Sequence, residues 1–144
     1  VDYSRNGLLL TEQFESCRLY AYLDSKGVPT IGYGHTAGVQ LGDTCTQAQA
    51  EAWLLEDVAW AASVINRDVT VPLTQNEFDS LVDFVFNVGS GNFEGSTMLK
   101  LLNQQNYAAA AEQFVRWDKA AGVEIAGLLR RRQSEEELFE LNEQ

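Results

Sequence analysis

The sequence is poor in the residues that would point to several common functions. One histidine, His35, and two cysteines, Cys17 and Cys45, occur in 144 residues. A lone histidine with two scattered thiols has no zinc-ligand spacing, and the cysteines lack the close spacing of a redox pair. They read as two buried thiols or as one disulfide, and not as catalytic groups. Basic residues are also scarce, ten against 21 acidic, for a net charge of −11. The excess is even along the chain, −5 through Pro72 and −6 beyond it. The only basic cluster, Arg130-Arg131-Arg132, is followed at once by Glu135-Glu136-Glu137. Such a surface repels phosphate backbones and argues against nucleic acid as a partner. No apolar run approaches the roughly 20 residues that span a bilayer, and no basic, apolar leader is read at the start.

What remains is the composition of a globular domain, 45% hydrophobic and 10% aromatic. Apolar spacing predicts a short helix from Asn6 to Ser16. The pattern then alternates from Arg18 to Asp24, turns at Ser25-Lys26-Gly27 and returns from Val28 to Tyr33, a β-hairpin with Pro29 on an edge. This is the only β region expected. Thr46 with Gln49, and Thr74 with Glu77, match capping boxes. They open a long helix to about Asn66 and a second helix ended by Gly89. A break at Gly91, Gly95 and Ser96 precedes helices over Thr97–Gln104, Asn106–Ala121 and Leu128–Leu141. Trp53, Trp60 and Trp117 are expected in the core. The fold class is therefore α+β and mostly helical, with a small β-hairpin lobe (residues 1–45), a connecting helix (46–66) and a helical lobe (67–144).

The chemistry concentrates in "ESCRLYAYLDSKGVPTIGYGHT", residues 15–36. Cleaving a glycosidic bond takes a proton donor for the leaving oxygen and a second carboxylate across the sugar ring. Glu15 at a helix end, Asp24 at the hairpin turn and Thr30 on the returning strand can point into one cleft. Taken singly, each is an ordinary surface or turn residue. Their spacing changes the reading.

Glu15, eight residues, Asp24, five residues, Thr30 is the signature of the phage-type lysozymes, or endolysins, of glycoside hydrolase family 24, which the sequence resembles over nearly its whole length. "TIGYGHT", "LTQNEFDSLVDFVFNVGSGNFEGSTML" and "GLLRRRQSEEELF" resemble the family's hairpin, central helix and last helix. Ser16 departs from the glycine common there. The resemblance implies a single lysozyme-like catalytic domain acting on bacterial peptidoglycan as a monomer, with no metal or cofactor. It implies Glu15 as general acid and Asp24 as the ionised partner, with Thr30 holding water and the anomeric centre inverted. It places Thr36, Phe86, Ser96 and Gln113 at the sugar subsites. His35 would tie the hairpin to the long helix through Asp57. Arg130 would hold Glu15, or, like Arg131 and Arg132, be a solvated helix-end charge. A lytic transglycosylase and a non-catalytic wall-binding module are the alternative readings.

Overall fold

The computed structural model describes residues 2–120 and 122–141. Seven α-helices and two small hairpins are assigned among them: α1 (Arg5–Phe14), β1 (Arg18–Leu23), β2 (Pro29–Gly32), α2 (Gln47–Asp68), α3 (Gln75–Val88), α4 (Ser90–Glu94), α5 (Thr97–Asn103), α6 (Tyr107–Ala111), β3 (Lys119–Ala120), β4 (Val123–Glu124) and α7 (Ala126–Glu140). A 3₁₀ turn, Phe114–Arg116, separates α6 from β3. The chain forms two compact units. One comprises Thr11–Ala59; the other comprises Val1–Leu10 and Trp60–Gln144. The boundaries fall within α1 and α2, so each of these helices contributes to both units. The mostly helical α+β class is as expected.

The unit of residues 11–59 is built on the hairpin. β1 and β2 run antiparallel, with Tyr22 opposite Thr30 and Leu23 opposite Pro29. At the end of β2, Gly32 takes φ +65, and a Cβ there would lie 3.2 Å from that of Ala50. Glycine therefore serves twice, by allowing the left-handed turn and by letting the strand end approach α2. The turn closes with a bridge between Ile31 and His35. It ends β2 one residue before Tyr33, the expected end. Ile31, Ala50, Leu54 and Val58 make the buried apolar core of this unit. His35 stacks on Trp53, with ring centres 4.5 Å apart and planes within 5°. Its Nδ1 lies 2.9 Å from Asp57 Oδ2. The contact expected between the hairpin segment and the long helix is present. The Thr46 hydroxyl accepts from the Gln49 amide at 3.1 Å, so α2 starts where its cap predicts.

The other unit is organised around α3. Thr74 and Glu77 form the full reciprocal capping box, and Gly89 ends the helix at φ 93. Phe84 is fully buried and meets Phe93, Phe114 and Trp117 edge-on, at 6.4, 5.4 and 5.9 Å between ring centres. These contacts explain two departures from expectation. The stretch read as a break at Gly91 and Gly95 is the short helix α4, because Phe93 must turn inward to reach Phe84. The helix expected over Asn106–Ala121 stops at Ala111. A 3₁₀ turn has three residues per turn and stacks residues i and i+3, which brings Phe114 and Trp117 to the same ring. A second hairpin, β3–β4, follows, so the first hairpin is not the only β structure. Ala121, the last residue of the expected helix, lies outside the described residues.

Two of the three arginines in the basic cluster are not solvated. Arg130 is exposed, but Arg131 and Arg132 are 4% and 0% exposed. All three lie in the second turn of α7, at the N-terminal end where the macrodipole lends cations no support, and the two buried ones need partners to offset desolvation. Arg131 makes a bidentate pair with Asp83 of α3, at 2.7 and 3.0 Å. Arg132 donates through Nη2 to Glu135 at 2.9 Å and lies 5.0 Å from the centre of the Phe84 ring. Its Nε is 2.7 Å from the other Glu135 oxygen, but off the line of a good hydrogen bond, and Nη1 has no hydrogen-bond partner among the described residues. Burial, with the bond and charge of Asp83 adding to it, pushes the Glu135 carboxyl well above the usual carboxylate range. Burial likewise lowers Arg132, against the pull of Glu135. Among the tryptophans, Trp60 is not a core residue: it is 44% exposed and tilted against Phe86 at 6.3 Å.

Two stability measurements follow. Replacing one member of a buried ion pair leaves the other charge without compensation, so Asp83→Asn should destabilise by about 3–5 kcal/mol in urea unfolding. A cost below about 1 kcal/mol would mean that Arg131 finds other partners. In a double-mutant cycle, His35→Ala and Asp57→Ala should couple by about 1–2 kcal/mol. Simple additivity would show that the 2.9 Å contact carries no stability.

Candidate active site

The sequence places three side chains in the opening segment, and all three fall in the unit of residues 11–59. Glu15 follows the last residue of α1, its amide still donating to the Thr11 carbonyl at 3.0 Å. The helix hydrogen bonding thus runs one residue past Phe14 and sets the direction from which Glu15 projects. The side chain is half-buried.

Asp24 stands one residue beyond β1 and organises the turn. Its Oδ1 accepts from the amides of Lys26 at 2.8 Å and Val28 at 2.9 Å. Its backbone amide donates to the Val28 carbonyl, and its carbonyl accepts from Gly27. The bond from Val28, then that from Lys26, holds the carboxyl below the usual aspartate range of about 3.8. This is the expected effect of donors that favour the charged form. Both side-chain bonds use Oδ1, which leaves Oδ2 for other partners.

Thr30 is 4% exposed, and its hydroxyl donates to the Val28 carbonyl at 2.8 Å. Thr30 pairs with Tyr22, two residues before Asp24. Because side chains two residues apart share a face, the register carries Asp24 and Thr30 to the same side of the hairpin.

The remaining predicted residues divide between the units. Thr36 is exposed just after His35, in the unit of the catalytic candidates. Phe86, Ser96, Gln113 and Arg130 belong to the other unit. Phe86 is half-buried in the last turn of α3, and Gln113 is half-buried where the 3₁₀ turn begins. The Ser96 hydroxyl caps α5, accepting from the Leu99 amide at 3.1 Å and donating to the Phe93 carbonyl at 2.6 Å. With 4% exposure, it shapes its loop more than it meets a ligand. A further polar cluster joins Gln47, Tyr33 and Cys17. Gln47 donates from its amide to the Tyr33 hydroxyl at 2.8 Å and touches Cys17 Sγ at 3.8 Å. Neither residue type nor spacing signals this cluster, because it is assembled by the fold.

The segment offers two carboxyl groups, one of them held ionised by backbone amides, and a hydroxyl on the same side of the hairpin as that one. Among the described residues, no group of three metal-ligating side chains comes together, and no helix is long and apolar enough to cross a membrane. The profile of the phage lysozyme family matches residues 12–135. An endolysin of Acyrthosiphon pisum secondary endosymbiont phage 1 is 44% identical over 141 residues, covering 95% of this chain and 97% of that protein. The endolysin of Salmonella phage P22 is also 44% identical, covering 94% and 96%. The crystal structure of a P22 lysozyme mutant superposes with a TM-score of 0.91 at 42% identity, covering 96% of this chain and 98% of the other. With a family profile spanning the hairpin and most of α7, and relatives matched end to end, this chain belongs to the phage lysozyme family.

Proposed function

We propose that Glu15 is the general acid, and that Asp24 and Thr30 together position the water that attacks the sugar. The reaction class follows from family membership: the protein is a muramidase that hydrolyses bacterial peptidoglycan. The bond cleaved is the β-1,4 linkage between N-acetylmuramic acid and N-acetylglucosamine. Residues 1–144 act as one catalytic domain, and the protein acts as a monomer.

The hydrogen bonding of Thr30 carries this assignment. Its proton is committed to the Val28 carbonyl, so Oγ1 can act toward water only as an acceptor. A water that gives one hydrogen to Thr30 Oγ1 and the other to Asp24 Oδ2 keeps a lone pair for the anomeric carbon. Asp24 remains ionised because Oδ1 is held by two amides. It can accept the proton released by water and stabilise the oxocarbenium charge as the bond to the leaving sugar breaks. Glu15 protonates the departing oxygen. Thr36, Phe86 and Gln113 contact the glycan, whereas Ser96 maintains the loop beside α5. The stack of His35 on Trp53 and its contact with Asp57 keep the hairpin segment on α2.

A water between sugar and carboxylate delivers inversion, whereas direct attack by Asp24 would give retention. NMR of the first-formed product should therefore show the α-anomer, and Glu15→Gln should lower the rate at least about a hundredfold while binding persists. A β-anomer, or an anhydro-sugar in the mass spectrum, would replace this mechanism by a retaining or a transglycosylase one.

The carboxyl of Asp24 also predicts a pH dependence. Its folded-state pKa lies below its unfolded value, so its contribution to stability is present above about pH 3.8 and is lost as pH falls through the lower folded pKa. Carboxyl NMR should place its midpoint below 3.8. A midpoint at or above the ordinary value would show that the turn amides do not hold the charged form.

A further inference from the structure

Cys17 and Cys45 have no part in the mechanism, yet the fold brings them together. Both thiols are free and half-buried. Tyr20 bridges Thr44 in antiparallel sense; Cys45 donates its amide to the Leu19 carbonyl, and Ala21 to that of Asp43, each at 2.9 Å. This register sets Leu19 opposite Cys45. Cys17 lies two residues before Leu19, just ahead of β1, and Gln47 lies two residues after Cys45, at the start of α2. The Cys17 thiol reaches the Gln47 side-chain oxygen at 3.8 Å, so these two flanking residues meet. The two cysteines therefore lie on chain segments that run beside each other, Cys45 bonded to Leu19 and Cys17 against Gln47, and Cys45 lies within electrostatic reach of the Cys17 thiol.

A disulfide accepts Cα separations up to about 7 Å. Cys17 precedes β1, outside the regular strand that would hold its backbone in place, so its backbone is free to adjust toward Cys45. Burial raises both thiols above their ordinary pKa, which slows their oxidation without blocking it.

We propose that Cys17 and Cys45 close to an intramolecular disulfide in an oxidising compartment, bracing the hairpin that carries Asp24 and Thr30. Peptidoglycan lies outside the reducing cytosol, where such bonds persist. With a small-molecule disulfide as oxidant, one cysteine thiolate attacks it and releases one thiol. The second cysteine then attacks the mixed disulfide and releases the other. One Cys–Cys bond forms, one oxidant S–S bond breaks, and the two cysteine protons leave with the two released thiols. The closed loop spans residues 17–45 and holds β1, β2 and the turn between them.

The test is to incubate the full chain with oxidised glutathione, isolate the monomer, alkylate it with N-ethylmaleimide and map its peptides. The monomer should carry a Cys17–Cys45 cross-link with no alkylated thiol. Its Tm should rise by about 5–10 °C over the reduced protein, and dithiothreitol should reverse the shift. Cys17→Ser and Cys45→Ser should each clear cell walls like the reduced parent, yet show no rise in Tm with oxidant. Full alkylation of both cysteines in the monomer, glutathione adducts alone, intermolecular dimers alone, or a cross-link that leaves Tm unchanged would each overturn the proposal. Loss of wall clearing in a folded serine variant would instead overturn the exclusion of the cysteines from chemistry.

Discussion

Between α3 and α7, stability rests on charge removed from water. The bidentate contact of Arg131 with Asp83 joins the two helices at a point where neither side chain is more than 5% exposed. Taking both groups out of water costs several kcal/mol per ion, which only good geometry offsets. Two parallel bonds to one carboxylate supply that geometry. Arg132 and Glu135 extend the cluster, with the Phe84 ring beneath the guanidinium. Phe84 also anchors Phe93, Phe114 and Trp117, so the ionic cluster and the aromatic core share one residue. A purely apolar contact could be as stable, but it would tolerate sliding of α7 along α3. A bidentate pair holds the helices in one register, and we regard that as its role.

The hairpin unit meets a different constraint. A turn that carries the proposed catalytic carboxylate must keep that group ionised and still, although it is short and open to solvent. Asp24 does both by folding its own turn: the amides of Lys26 and Val28 that it accepts lie within the loop it shapes. Turn formation and charge stabilisation are the same pair of bonds. Thr30 repeats the economy, since the bond that sets its hydroxyl orientation is to a carbonyl of that same turn. Local hydrogen bonding thus prepares two of the three proposed catalytic groups before any substrate arrives.

The acidic surface bears on how the enzyme meets its substrate. A net charge of −11 gives no general attraction to a polymer that itself bears carboxylates. Binding then falls to local contacts rather than to a long-range field.

Features governed by nearby residues were legible in the sequence. A strand where Arg18–Asp24 was expected (Arg18–Leu23, with an irregular register in place of clean alternation), the turn at Ser25-Lys26-Gly27 and the caps at Thr46 and Thr74 appear near their expected places, because turns and caps are set by residues a few positions apart. The spacing of Glu15, Asp24 and Thr30 was legible for the same reason, and with it the family. The tertiary structure decided whatever depends on distant partners. Arg131 and Arg132 look like solvent-facing charge until Asp83, 48 residues from Arg131, is placed beside them. The Ala-rich stretch after Asn106 reads as one helix until Phe114 and Trp117 must converge on Phe84. The glycines near Phe93 read as a break until that ring is buried. Propensity and spacing act over a few residues, whereas burial energy is shared among residues tens of positions apart, and where the two conflict, burial prevails.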